Sequence, residues 1–195
     1  MKSVGLYFGS FNPIHCGHIQ IADLAREQMK LDEVWFIVSP RNPFKENSEL
    51  AAEEHRLQMV RIACSQLHNI KVSDIEFRLP KPSYTIYTLR ELITEFPEAV
   101  FHLIIGEDNL VSFHQWKEYE ALLGLAKLIV YPRLNAAPSI PKQLEKYNGR
   151  ICFLSGRLLS ISATDIREKI KMGETIEGLT PSDVTHYIEV NNLYA

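Results

Sequence analysis

Residues 1–19 read Met1-Lys-Ser-Val-Gly-Leu-Tyr-Phe-Gly-Ser-Phe-Asn-Pro-Ile-His-Cys-Gly-His-Ile19. Val4, Leu6 and Phe8 form an apolar stretch with β-forming character, suited to a central strand. Gly9-Ser10-Phe11-Asn12-Pro13 interrupts it, since Gly9 tolerates any backbone angle, Asn12 favours a turn and Pro13 ends ladder pairing. Beyond His15, Gly17 and His18 the pattern turns helical, with Ile21, Leu24, Ala25 and Met29 on one face. Such a strand-turn-helix aims backbone N–H groups and the positive helix end at whatever occupies the turn, a geometry suited to phosphate.

The rest of the chain repeats the alternation. Val34–Val38, Val100–Ile105 and Leu128–Tyr131 are short continuous apolar runs, the pattern of strands buried on both faces; Ile70–Asp74 and Ile151–Leu154 are weaker ones. Helices are expected over 48–66, with Leu57, Val60, Ile62 and Ala63 apolar, and around Ile86, Leu89, Ile93 and Phe96. A short helical stretch holds Trp116, another helix runs from the 160–167 stretch to about Met172, and Thr180-Pro181 has the order of a cap followed by a first helical proline. Residues 39–45, 79–84 and 135–141 are proline-containing loops. This order predicts an α/β fold, a Rossmann-like, doubly wound, mainly parallel sheet with helices on both faces and ligands at the carboxyl ends of the strands.

At 195 residues the chain suits a single domain, 1–195, with a helical C-terminal part over about 156–195. A net charge of -3 offers no general attraction to nucleic acid or anionic membrane, so anionic substrates must be drawn by local groups. Cys16, Cys64 and Cys152 are odd in number and lack CxxC spacing, which fits a reduced, cytoplasmic setting. There is no signal-peptide pattern, no apolar run of transmembrane length and no internal repeat.

Two stretches carry chemistry. A lone histidine is most often structural, but His15 and His18 flank Gly17 in a turn already shaped for phosphate, where ring N–H groups can donate to oxygens that gain charge during transfer. A zinc site would need further ligands at sensible spacing, and none is evident. In Ile161-Ser-Ala-Thr-Asp-Ile-Arg167, Ser162 or Thr164 can cap a helix, and a capped N-terminus is also an anion site; Arg167 adds fixed, permanently charged donors.

Residues 9–18 resemble the nucleotide-binding motif Gly-Gly-Thr-Phe-Asp-Pro-Ile-His-x-Gly-His of nucleotidyltransferases related to class I aminoacyl-tRNA synthetases, departing from it at Phe8, Ser10 and Asn12. Residues 161–167 resemble that superfamily's second motif, Ile-Ser-Ser-Thr-x-Ile-Arg, with Ala163 for the middle serine. Ser83-Tyr-Thr-Ile-Tyr-Thr-Leu89 and Gly106-Glu-Asp-Asn-Leu110, followed by Trp116, extend the resemblance over essentially the whole chain to the bacterial nicotinate-nucleotide adenylyltransferase family. The resemblance implies a Rossmann-like fold with its switch between the first and fourth strands. It implies transfer of the adenylyl group of ATP to nicotinate mononucleotide, giving nicotinate adenine dinucleotide and pyrophosphate in NAD biosynthesis, with Mg²⁺ bound through the ATP phosphates.

The same resemblance gives His15, His18 and Arg167 catalytic roles. It places Gly9, Ser10, Phe11, Lys45, Gly106, Asp108, Arg133, Ser162 and Thr164 at ATP, with Lys45 and Arg133 in only partial motif matches. Tyr84, Thr85, Trp116 and Lys117 fall at the acceptor: Trp116 stacks on the pyridine ring, and backbone N–H groups near Thr85 and just after Trp116 receive its carboxylate. The implied partners are ATP and nicotinate mononucleotide, with no nucleic acid or membrane and a homo-oligomer left open. Other readings are the same chemistry on nicotinamide mononucleotide, phosphopantetheine or an alcohol phosphate, a catalytically silent nucleotide-binding module, and a zinc enzyme using His15 and His18.

Overall fold

The computed structural model of the chain describes residues 1–40, 50–132, 139–156 and 158–195. Six strands, β1 (Lys2–Gly9), β2 (Glu33–Val38), β3 (Ile70–Ser73), β4 (Ala99–Gly106), β5 (Lys127–Tyr131) and β6 (Ile151–Phe153), form one sheet in the order β3-β2-β1-β4-β5-β6. Every pairing is parallel. The order reverses between β1 and β4, which places the switch point of this doubly wound sheet where the first turn leaves β1.

The continuous apolar runs follow from burial on both faces. Along β2, Val34, Phe36 and Val38 join one core, while Trp35 and Ile37 join the other. Helices α1 (Cys16–Gln28), α2 (Glu53–Cys64), α7 (Ala163–Lys171) and α8 (Ser182–Val190) cover the first face through Ala22, Ala25, Met59, Val60, Ile166, Val184 and Ile188. Helices α4 (Thr85–Glu95), α5 (Glu107–Ser112) and α6 (Tyr119–Leu125) cover the second through Ile86, Leu89, Leu110 and Leu122.

Several boundaries differ from expectation. Helix α2 begins at Glu53, and Ser48, the expected start, lies outside the described residues. A four-residue helix, α3 (Ile75–Arg78), and a run of 3₁₀ turns over Lys142–Arg150 have too few apolar positions to show a period. The last helix starts at Ser182 rather than at Pro181, and the Thr180 hydroxyl pairs with that of Thr185 at 2.6 Å instead of capping a backbone N–H.

Candidate active site

The turn after β1 is built by close packing. The Phe11 ring is 2% exposed and wedges edge-on against Tyr7, Phe36 and His18. The Phe11 side chain is thus enclosed by the core, and only its backbone can face a ligand in the turn. His15 and His18 stack with centroids 3.7 Å apart. A Cβ on Gly17 would lie 3.1 Å from His15 Nδ1, so that close approach explains a glycine between the two histidines. The His15 backbone N–H donates to His18 Nδ1 at 3.3 Å. This bond leaves the His18 ring proton on Nε2, the nitrogen turned away from the turn's own backbone.

The second motif meets the first directly. Arg167 Nη1 donates to the Asn12 carbonyl oxygen at 2.9 Å, and its Nη2 lies 3.4 Å from Thr164 Oγ1. Ser162 caps α7, its hydroxyl accepting the Asp165 N–H at 3.1 Å. His15, His18, Ser162, Thr164 and Arg167, separated by some 150 positions in sequence, thus cluster at the carboxyl end of β1.

A cavity of about 280 Å³ opens beside this cluster, between the carboxyl ends of β1 and β4 and the start of α4. Gly9, Ser10, Tyr84, Thr85, Gly106, Trp116 and Lys117 all line it. Tyr7 also lines it and has its ring 6.0 Å from that of His18, connecting the cavity to the paired histidines. The Trp116 ring packs on Phe113 at 5.0 Å, which fixes its plane while leaving it half-buried. The Lys117 ammonium sits 4.5 Å over the Tyr84 ring and 4.8 Å over that of Tyr87. Hydrogen bonding to Tyr87 holds that ammonium above the usual lysine range. The Tyr87 and Thr88 N–H groups bond the Tyr84 carbonyl oxygen at the N-cap of α4, while those of Thr85 and Ile86 precede the first helical bond and carry the helix's positive end.

Asp108 is exposed and lies outside the cavity lining, its carboxylate folded over Gly106. A Cβ at Gly106 would overlap Asp108 Oδ1 and lie 3.1 Å from the packed Tyr131 ring. Gly106→Ala is therefore expected to cost about 1–3 kcal/mol of stability through overpacking, read by urea unfolding. Lys45 and Arg133 lie outside the described residues. Among the described residues, no group of three or more His, Cys, Asp or Glu side chains is placed to hold a metal ion.

Two buried polar residues were missed in the sequence. Arg56 is 0% exposed and donates to four carbonyl oxygens, those of Ser10, Ser39, Pro40 and Ala51, at 2.7–3.0 Å. It ties the turn after β1 to the turn after β2 and to the approach to α2. Burial pulls its guanidinium below the usual arginine range, partly offset by Glu53, Tyr194 and Glu54. The available signal was an arginine on the apolar stripe of α2, four positions before Val60. Glu76 is 2% exposed, lines the cavity, and accepts from Ser83 Oγ at 3.0 Å and Thr88 Oγ1 at 2.8 Å. Burial pushes its carboxyl up, against the hydrogen bonds from Ser39, Thr88 and Ser83.

Comparison with known proteins agrees with this geometry. The cytidylyltransferase-like family model matches residues 6–169. The chain is 44% identical over 191 residues to a Flavobacterium johnsoniae protein described as "Probable nicotinate-nucleotide adenylyltransferase", covering 98% of each chain. It is 38% identical over 194 residues to a Roseiflexus protein of the same description, covering 98% of this chain and 97% of that one. Among solved structures, Plasmodium falciparum nicotinic acid mononucleotide adenylyltransferase complexed with NaAD superposes with a TM-score of 0.81 at 21% identity, covering 100% of this chain and 98% of that chain, a likeness of fold. With both motifs meeting at the switch point of the same fold, the chain belongs to the nicotinate-nucleotide adenylyltransferase family of cytidylyltransferase-like proteins.

Proposed function

We propose that this enzyme joins ATP and nicotinate mononucleotide to give nicotinate adenine dinucleotide and pyrophosphate. The observation that carries the reading is the 2.9 Å contact from Arg167 to the Asn12 carbonyl, which unites the two phosphate motifs beside an aromatic-walled cavity. A phosphate oxygen of the mononucleotide attacks the α-phosphorus of ATP in line. The new P–O bond forms as the bond to the bridging oxygen breaks, and the electron pair leaves with pyrophosphate. The acceptor brings its own nucleophile, so catalysis is positioning plus charge stabilisation. His15, His18 through its Nε2–H, and Arg167 donate to phosphate oxygens that gain charge; the two histidine rings also hold each other by stacking. Ser162 and Thr164 hold phosphate at the start of α7, while Gly9, Ser10 and Gly106 let the nucleotide approach backbone.

The donors gathered among the described residues are histidines, hydroxyls and an arginine, which suit phosphate oxygens, and Mg²⁺ arriving on the triphosphate would neutralise phosphate charge there. On the acceptor side, Trp116 offers a flat face to the pyridine ring, Tyr84 and Lys117 form the adjoining wall, and the first N–H groups of α4 receive the carboxylate. The Flavobacterium relative's description and the Plasmodium complex with NaAD support the choice of substrate. Residues 1–195 act as one domain, supported by Ile166, Val184 and Ile188 sharing a core with β1 and β2. A cytoplasmic setting suits three free cysteines, and no helix among the described residues is long and apolar enough to cross a membrane.

Pyrophosphate release with ATP and Mg²⁺, offering nicotinate and nicotinamide mononucleotides in parallel, tests the reading. Backbone donors pair with a carboxylate but meet the amide's NH₂ group badly, so the acid is expected to be favoured at least about a hundredfold in kcat/KM. Equal use of both would keep the reaction and reject this account of selectivity. No release with either would reject the reaction.

A further inference from the structure

We infer that Tyr194 is a positioning residue for adenylyl transfer, holding Asn12 and through it the seating of the histidine-bearing turn against Arg167. The inference rests on the reaction proposed above. The Tyr194 hydroxyl donates to Asn12 Oδ1 at 2.8 Å, and the same oxygen accepts the Ala51 N–H at 3.0 Å. Asn12 is 5% exposed, and its carbonyl is the acceptor for Arg167. One residue therefore joins three segments to the turn that holds His15 and His18: the Asn12 side chain takes the C-terminal segment and the approach to α2, and its backbone carbonyl takes the second phosphate motif.

Backbone geometry supports this assignment. Tyr194 has φ +68°, a left-handed conformation that a bulky side chain keeps only where surrounding contacts compensate. The compensation comes from Leu193 and Tyr194 packing on the core that contains Phe11 and Ile14, and from the bond to Asn12. Burial raises the Tyr194 hydroxyl pKa despite Arg167 and Arg56 nearby, which favours its protonated, donating form. Asn12 is flanked by Phe11, whose ring centroid lies 5.1 Å from that of His18. A displaced Asn12 shifts both the arginine and the wedge beneath the histidine.

Tyr194→Phe removes the hydroxyl and keeps the ring. Tyr187→Phe is the matched control: it deletes a phenol bond to His55 Nδ1 of 2.9 Å, also between the C-terminal segment and α2, but away from the turn. Both proteins are to be purified and melted, and their turnover measured per folded molecule. Tyr194→Phe is expected to lower kcat about tenfold, a modest share of what misplaced reacting groups cost, with KM for nicotinate mononucleotide changed by less than about twofold. Tyr187→Phe is expected to leave kcat unchanged. Asn12→Ala should lower kcat at least as far, and adding Tyr194→Phe to it should cost nothing more, because the hydroxyl acts through Asn12. Wild-type kcat in Tyr194→Phe, an equal loss in Tyr187→Phe, or a full further loss in the double variant would overturn the inference. A wild-type enzyme that releases no pyrophosphate from the acid would instead overturn the reaction assignment, and this inference with it.

Discussion

Replacing His18 with alanine is expected to lower kcat about a hundredfold or more while the protein remains folded. The magnitude is that of losing one well-aimed donor to developing charge, about 3 kcal/mol. The structure separates the two consequences. His18 is half-buried, and its Nδ1 is occupied by the His15 backbone, so in the proposed reaction its Nε2–H is the donor to phosphate. Removing the ring takes away one partner of a 3.7 Å stack and one edge contact to Phe11, but opens no deep cavity. Turnover at saturating ATP and nicotinate mononucleotide, with melting followed by circular dichroism, checks both halves. Near-normal turnover in a folded His18→Ala protein would end the proposed role. His15→Ala is a less clean probe because His15 is 6% exposed and its loss disturbs packing as well as chemistry.

Arg56→Met is expected to act on the fold. A buried acceptor left unpaired costs about 1–3 kcal/mol. The Pro40 carbonyl would be orphaned in full, those of Ser10, Ser39 and Ala51 are only partly buried and can regain water, and some cost is recovered because a charge is no longer buried. A net loss of about 3 kcal/mol follows, a large fraction of the roughly 5–15 kcal/mol that holds a typical domain. Urea denaturation reads it as a lowered midpoint with an unchanged slope. Arg56→Lys keeps a charge but presents one ammonium where a planar fork reached four oxygens, and an intermediate loss is expected. A midpoint within experimental error of wild type for Arg56→Met would show that those carbonyls find other partners.

The two predictions illustrate what was legible in the chain. Strands such as Val34–Val38 and Leu128–Tyr131 were readable because burial on both faces demands uninterrupted apolar residues. The paired histidines, Ser162, Thr164 and Arg167 were readable because each motif is local and its order in the chain is characteristic. Arg56 and Glu76 were not, since an arginine and a glutamate in amphipathic surroundings read as solvated, and their acceptors and donors come from distant turns. The motif puts Phe11 in the nucleotide turn without showing that its ring belongs to the core; a turn pressed this closely against a sheet must fill its own underside. Tyr194 gave no signal, because its partner lies 182 positions away.

The sheet order also bears on how the chain reaches this state. The central pairing sets Lys2 beside Ala99 and Tyr7 beside Ile104, so β1 finds one of its neighbours only across nearly half of the sequence. On the other side, β1 pairs with β2 from Val4↔Glu33 to Gly9↔Val38, a far shorter closure. Loop-closure entropy favours the shorter one. A β1-β2 ribbon crossed by α1 can form early, with the β4 side of β1 still unpaired. Until β4 docks, that open edge offers a template to any other extended segment, including the same edge on another copy of the chain. The strand that later carries the reactive turn thus keeps an edge open to mispairing during refolding, and dilute protein should regain activity more completely than concentrated protein.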